Sequence, residues 1–377
     1  LVTRWHVVSA CLAALFLSGC GIGLDASYAD PAGEATSLTE CEPVTPYDDL
    51  DALSTALASE ASFYGIVGAD IATDVRLASG DIVFAFGDTI LEEFIARDTS
   101  VRNSLLAFSE DRVCLVLAPD GSAFVPDRGD AVGYWPTSMV EVEPGRTIAL
   151  FLQRVRETSD GEFVNLGPSV AEVALDPDGL PRLVRVIDIG HDEPSRQRIG
   201  WGAASWTGRD DYLYIYGTAN PETELVFGWS LHVARVRPEQ VFDVLEWEYR
   251  TADDWSSDAS AVTTLIPASG GVSQTLSVFA HEGRWHAVSK RDDYLGSDIV
   301  IWSAAAPTGT FVASDPVAQR PSTATTARYA VVAHPTLYPQ EGTVVVSISQ
   351  NTTDPNALAD DPTLYRPEFF RVPLPPG

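Results

Sequence analysis

The chain has 377 residues, 53 of them acidic and 24 basic, for a formal net charge of −29. This acid excess argues against nucleic acid as a partner, since phosphate binding needs a basic surface, and equally against docking on anionic lipid through a basic patch. Hydrophobic residues make up 45% of the chain, enough for a large core, and 28 Gly with 25 Pro suit many short elements joined by turns.

The first segment reads as an address. In LVTRWHVVSACLAALFLSGC, Arg4 supplies a positive start and Val7 to Leu17 an apolar stretch too short to span a membrane, which is the pattern of a secretory signal over residues 1–19. Leu17-Ser18-Gly19-Cys20 looks like a bacterial lipobox, with Cys20 as the lipidated residue. The expected location is therefore the extracellular face of the cytoplasmic membrane, held there through a lipid alone. Residues 20–59 are expected to form a tether and linker, with one candidate helix at Asp48–Ser59. Cys11 lies in the signal, so Cys41 and Cys114 remain as an even pair in an oxidising compartment. A disulfide across their 73-residue separation is expected, worth roughly 4 kcal/mol in the loop-entropy model.

From residue 60 onward, short β-branched and aromatic runs alternate with turn signals, the pattern of an all-β chain. Five runs look like versions of one another: Ile82–Thr89, Thr147–Arg154, Tyr212–Thr218, Arg284–Arg291 and Thr343–Asn351. Their starts lie 65, 65, 72 and 59 residues apart, and each follows a turn, such as Ser79-Gly80-Asp81 or Glu282-Gly283. A hairpin plus about forty residues makes a four-stranded unit. Five units fill residues 60–377 as a five-bladed β-propeller of four-stranded antiparallel blades, with Phe369–Leu374 finishing the last blade. A two-domain sandwich is the rival, but it does not explain five hairpins at this period.

Propeller sites gather at one mouth of the central channel, where the innermost strands begin. In a hairpin, cross-strand partners have positions with a constant sum. A first turn centred near Ser79 makes Asp70 and Asp88 opposite neighbours, with Cβ atoms about 5 Å apart. Two carboxylates that close split their titration, one protonated and one ionised, as glycoside hydrolysis requires. The same arithmetic sets Trp201 opposite Gly217, Gln274 near Arg291 and His334 opposite Ser349, and puts Trp135-Pro136 at the corresponding place in the second unit. Aromatic faces and planar polar groups at a concave mouth suit a sugar. Each residue taken singly also has a packing role to play, and an Asp at a strand end often only caps a turn. No HExxH, zinc-spaced Cys/His cluster, phosphate loop or GxSxG elbow occurs, so no metal or other cofactor is expected.

Gly68-Ala69-Asp70-Ile71-Ala72-Thr73, followed by Phe86-Gly87-Asp88-Thr89, resembles the opening signature of a secreted five-bladed propeller family. That family was long described only as a domain of unknown function and includes endo-D-arabinanases acting on the arabinan of mycolate-type cell walls. Further similar stretches are Arg102-Asn103-Ser104, Tyr134-Trp135-Pro136, Trp201-Gly202-Ala203, Tyr212–Gly217, Val233–Val236 and Ala333-His334-Pro335, so the likeness spans residues 65–350. The resemblance implies that Asp70 and Asp88 are the essential carboxylates. With it, Asn103, Trp135, Trp201, Gln274 and His334 are expected to shape the sugar site of a monomeric, cell-wall-directed glycoside hydrolase. A non-catalytic glycan-binding lipoprotein is the alternative.

Overall fold

The computed structural model describes residues 38–43, 47–60, 62–92, 99–159, 162–223 and 225–376. The signal segment and Cys20 lie outside the described residues. The chain is all-β, with one helix of ten residues, Leu50–Ser59, capped by Asp49, whose carboxylate accepts from the Ala52 amide at 2.8 Å.

The sheets follow one another along the chain. The first runs Thr73–Arg76, Ile82–Phe86, Ser104–Phe108, Arg112–Leu117, and it continues past a break as a small sheet of Ile66–Ala69, Thr89–Leu91 and Ser100–Val101. The second holds Val132–Glu143, Thr147–Glu157, Phe163–Leu175 and Pro181–Asp188, and the third begins Gly200–Thr207, Leu213–Ala219, Ser230–Val236. The fourth begins Ser277–His281, Arg284–Lys290, Asp298–Ala304, and the last holds Thr326–His334, Thr343–Thr352 and Glu368–Pro373. All pairings are antiparallel, and four of the five opening hairpins turn on a glycine with positive φ, Gly80, Gly145, Gly283 or Gly342, where a side chain would be strained; the third turns on Asp211.

The core is built between sheets. Met139 and Ile148 pack on Val83 and Leu105; Phe151 and Val170 pack on Leu213 and Ile215. Tyr214 and Leu231 meet Trp285 and Val300, and Phe279 and Ile299 meet Val331 and Val346. A fifth cluster joins the last sheet back to the first, through Val345 and Phe369 against Phe84, Phe86 and Leu115. The first strands of successive sheets touch in the same cyclic order. Their N-terminal ends therefore come together on one face of the ring.

The structure corrects the uniform four-stranded expectation, because the sheets range from three to five strands. The third gains Glu248–Arg250 and Trp255–Ser256 at its outer edge, while the last stops at three. The expected tether is also partly folded. Leu38–Pro43 adds an edge strand to the first sheet in which Cys41 pairs with Cys114, and the two are disulfide-bonded. Helix Leu50–Ser59 packs on Glu368–Pro373, and buried Arg366 donates to the carbonyls of Leu57, Glu60 and Val67, which ties the two ends of the described chain together.

Candidate functional site

The site forms where the first hairpin breaks. Ala69 pairs with Thr89, and Thr73 pairs with Ala85, so the register on both sides puts Asp70 opposite Asp88. Between those pairs the backbone leaves the strand: Ile71 and Ala72 have φ of 70° and 63°, in the left-handed region. That conformation is rare for any side chain and an outlier for β-branched Ile, and such strain costs on the order of 1–3 kcal/mol per residue. The surroundings hold it. The Ile71 amide donates to Ser349 Oγ at 2.8 Å, and the amides of Ala72 and Gly87 both donate to the Asp70 carbonyl at 3.0 Å. Gly87 has no alternative, since a Cβ there would overlap Asp70 Oδ1.

Side-chain donors reach both carboxylates. The Tyr329 hydroxyl donates to Asp70 Oδ2 at 2.7 Å, and the Trp135 indole donates to Asp88 Oδ1 at 2.9 Å. Asp70 Oδ1 is buried without a partner. Arg102 Nη1 stands 3.9 Å from Asp88, while its other nitrogens turn to Glu157 at 3.1 Å and Asp127 at 3.7 Å. The Arg102 guanidinium lies over the Phe163 ring, 4.7 Å from its centre, and Phe163 meets Trp135 at 5.0 Å.

Both aspartates titrate above the ordinary carboxylate range. Burial raises Asp88 to about 7, helped by the Asp70 charge beside it and opposed by the Trp135 bond and Arg102. Burial likewise raises Asp70 to about 6, opposed by the hydroxyls of Tyr329 and Tyr365. Two buried carboxyls this close share a proton more readily than both ionise, a division that acid–base chemistry can use. Asp88 remains reachable, with 24% of its side chain exposed.

Other expected site residues divide into two groups. Trp135 joins the pair directly. Trp201 sits opposite Gly217, as expected, with its ring 5.2 Å from Tyr249. Gln274 and Trp201 line one narrow cavity with Thr137, Gln153 and Trp229. Trp201 also borders a groove of about 950 Å³ with Arg198, His232 and Tyr249. Neither hollow is lined by Asp70 or Asp88.

Asn103 and His334 are corrected to internal roles. Asn103 is 1% exposed, and its amide is spent on Val125 and Tyr134 carbonyls and the Val125 amide. His334 is fully buried between Asp74 at 2.6 Å and Ser347 at 2.8 Å. Ser347, His334 and Asp74 thus form a chain like a serine-hydrolase triad, but one sealed in the core. The expected His334–Ser349 pairing fails because Pro335–Gly342 forms an eight-residue loop instead of a tight turn, leaving His334 opposite Val345. Ser349 instead lies opposite Tyr329, next to a bulge at Ala330. Tyr329 and Tyr365 carry no spacing signal in the sequence, and only the tertiary fold brings them to Asp70; Arg102 follows Val101, which pairs with Thr89, so local strand pairing sets it opposite Asp88. Among the described residues, no group of three or more His, Cys, Asp or Glu side chains is disposed to hold a metal ion.

An all-β chain of successive antiparallel sheets that pairs two buried aspartates is the class of protein the structure defines. The chain belongs to the family described as "Domain of unknown function (DUF5005)", matched over residues 60–373. No curated protein matches the chain. A Bacteroides ovatus structure provisionally described as a hydrolase is similar in fold, with a TM-score of 0.63 at 18% identity, over 89% of this chain and 93% of that one. A Bacillus subtilis glycoside hydrolase family 43 arabinoxylan arabinofuranohydrolase aligns at 12% identity and a TM-score of 0.47, over 84% and 65% of the two chains. A family 43 β-xylosidase/α-arabinofuranosidase from a compost metagenome aligns at 12% and 0.45, over 84% and 93%. Likenesses at the last two scores do not bear on mechanism.

Proposed function

We propose that this chain is a five-bladed propeller glycoside hydrolase that cleaves furanosidic linkages within cell-wall D-arabinan. The observation that carries the reading is the aspartate pair. Asp70 and Asp88 stand opposite each other, both with raised pKa, and Asp70 keeps a buried oxygen without a partner. A glycosidic bond is broken by one carboxyl protonating the leaving oxygen while a second attacks the anomeric carbon or activates water. The two aspartates divide the roles of acid and of base or nucleophile between them, each raised by burial and each held by a side-chain donor that favours its charge. Trp135 and Phe163 supply aromatic faces beside Asp88 for the sugar. The D-arabinan substrate and the endo mode are parts of this proposal supported by the sequence resemblance; the lipid anchor at Cys20 and the extracellular site are supported by the signal-like start and the Leu17-Ser18-Gly19-Cys20 motif, and the monomeric state is proposed with them. The test is incubation of the purified protein with cell-wall D-arabinan, L-arabinan, fructan and galactan. Oligosaccharide release from the first, abolished in Asp70→Asn and Asp88→Asn, is the expected result; full activity in both variants would remove the site.

The second reading is a surface lipoprotein that binds glycan without cleaving it. The observation favouring it is that the hollows lined by Trp201, Gln274 and Tyr249 are lined by neither carboxylate. It expects saturable sugar binding that Trp201→Ala weakens, with no product on long incubation.

A further inference from the structure

Lys290 is the only lysine among 377 residues, and it is fully buried. A buried ammonium ordinarily ends on a carboxylate. This one donates instead to two main-chain carbonyls, Arg328 at 2.6 Å and Tyr294 at 3.2 Å. The two carbonyls belong to different elements. Tyr294 lies in the single turn Asp293–Leu295 that follows the second strand of the fourth sheet, and Arg328 lies on Thr326–His334, the first strand of the last sheet. The ammonium therefore pins one sheet's loop to the next sheet's inner strand.

What it pins is the peptide that leads into Tyr329. The Arg328 carbonyl and the Tyr329 nitrogen share one planar unit, so fixing the carbonyl orients the tyrosine's backbone. The ladder sets Arg328 and Tyr329 opposite Gln350 and Ser349, but its register slips directly after Tyr329, with Ala330 at a φ of 46°, so the peptide sits at the edge of a break. The loop side is rigid in its own right. The Trp229 indole donates to Asp293 at 2.7 Å, the Asp292 amide donates to the Gly271 carbonyl at 3.1 Å, and the Tyr294 ring lies 6.4 Å from that of Tyr329. At the far end of Tyr329, its hydroxyl donates to Asp70.

We propose that Lys290 is a positioning residue, whose ammonium fixes the Arg328–Tyr329 peptide and through it the hydroxyl of Tyr329 on Asp70. The functional meaning rests on Asp70 being a reacting carboxylate, but the linkage is a property of the folded chain and is measurable without substrate. The groups that face Asp70 are Tyr329, Tyr365 and Asp88; those that face Lys290 are Asp293 and Arg328. A lysine acting on Asp70 by its charge and one acting through Tyr329 are thus separable.

The experiment is a double-mutant cycle read by carbon-13 NMR titration of the Asp70 carboxyl in the intact protein. Tyr329→Phe removes a donor to the charged form and is expected to raise the Asp70 midpoint by about one pH unit. Lys290→Met is expected to raise it by part of that amount, and the double variant no further than Tyr329→Phe alone. An unmoved midpoint in Lys290→Met overturns the proposal, as does additivity in the double variant, which would mean that Lys290 acts by charge. If Lys290→Met does not fold, Lys290→Gln keeps two N–H donors without the charge: a midpoint that is unmoved, or that rises no further in combination with Tyr329→Phe than with Tyr329→Phe alone, supports the proposal, and a rise that adds to that of Tyr329→Phe overturns it. An intact linkage in a protein that releases no sugar from any polysaccharide would instead remove the hydrolase reading alone.

Discussion

Asp70 and Asp88 occupy opposing positions at a place where both strands break but the register between them does not, since Ala69 pairs with Thr89 and Thr73 with Ala85. The break frees both side chains from the ladder, and the kept register holds them together. Two left-handed residues, Ile71 and Ala72, turn the backbone away and are fastened by Ser349 from the last sheet. The pair is thus assembled from both ends of the ring.

Asp70→Asn and Asp88→Asn are each expected to lower the rate of glycan cleavage about 10²–10⁴-fold, the usual contribution of a positioned acid or base. The far-ultraviolet spectrum and melting behaviour should stay those of a folded protein, because Asn keeps the shape of the side chain. Near-normal turnover in either variant would remove that residue from the chemistry.

The same carboxyls set a pH dependence of stability with a definite sign. A group whose pKa is raised on folding holds a proton in the native state that the unfolded chain has already released. Its contribution to stability is fully present below about pH 4. That contribution is lost as pH rises through about 6 for Asp70 and about 7 for Asp88. Asp88→Asn should therefore melt about 2–4 °C above wild type at pH 8. The difference should vanish near pH 4; one that grows toward pH 4 would reverse the sign.

His334→Ala is expected to act on stability rather than on sugar binding. The imidazole bridges Asp74 and Ser347, joining the first sheet to the last in a site with no exposure. Its loss strands a carboxylate that is 5% exposed, at a cost of about 3 kcal/mol or more. Denaturant melts should show that loss while the affinity for arabinan oligosaccharides stays within about twofold, a few tenths of a kcal/mol.

Cys41 and Cys114 stand at the opposite extreme of the domain, on an outer edge. Replacing both with Ser should cost about 2–4 kcal/mol in unfolding free energy. Hydrogen exchange at Leu38–Pro43 should rise to that of an open edge, and the Asp70 and Asp88 midpoints should not move. A moved midpoint would mean that the edge strand reaches the site.

Much of this was legible in the residues. The five second strands of the sheets, the glycine turns before four of them and the Asp70–Asp88 opposition all follow from local periodicity and hairpin arithmetic, because cross-strand register is set by nearby turn geometry. The arithmetic failed at His334 and Ser349 because Pro335 and Pro339 open the turn into a loop and Ala330 adds a bulge. It also overread Asn103, whose amide proves to be a brace for Val125 and Tyr134.

The sequence by itself determined the all-β class, the repeat and the carboxylate pair, since each depends on residues within one hairpin or on a spacing. Only the tertiary structure decided what those carboxylates are worth chemically. Their raised pKa values come from burial, against the opposing pull of Tyr329 and Tyr365 on Asp70 and of Trp135 on Asp88, which reach them from other sheets or from far along the chain. Burial, and a neighbour more than two hundred residues away, are properties of the tertiary fold that no local pattern encodes.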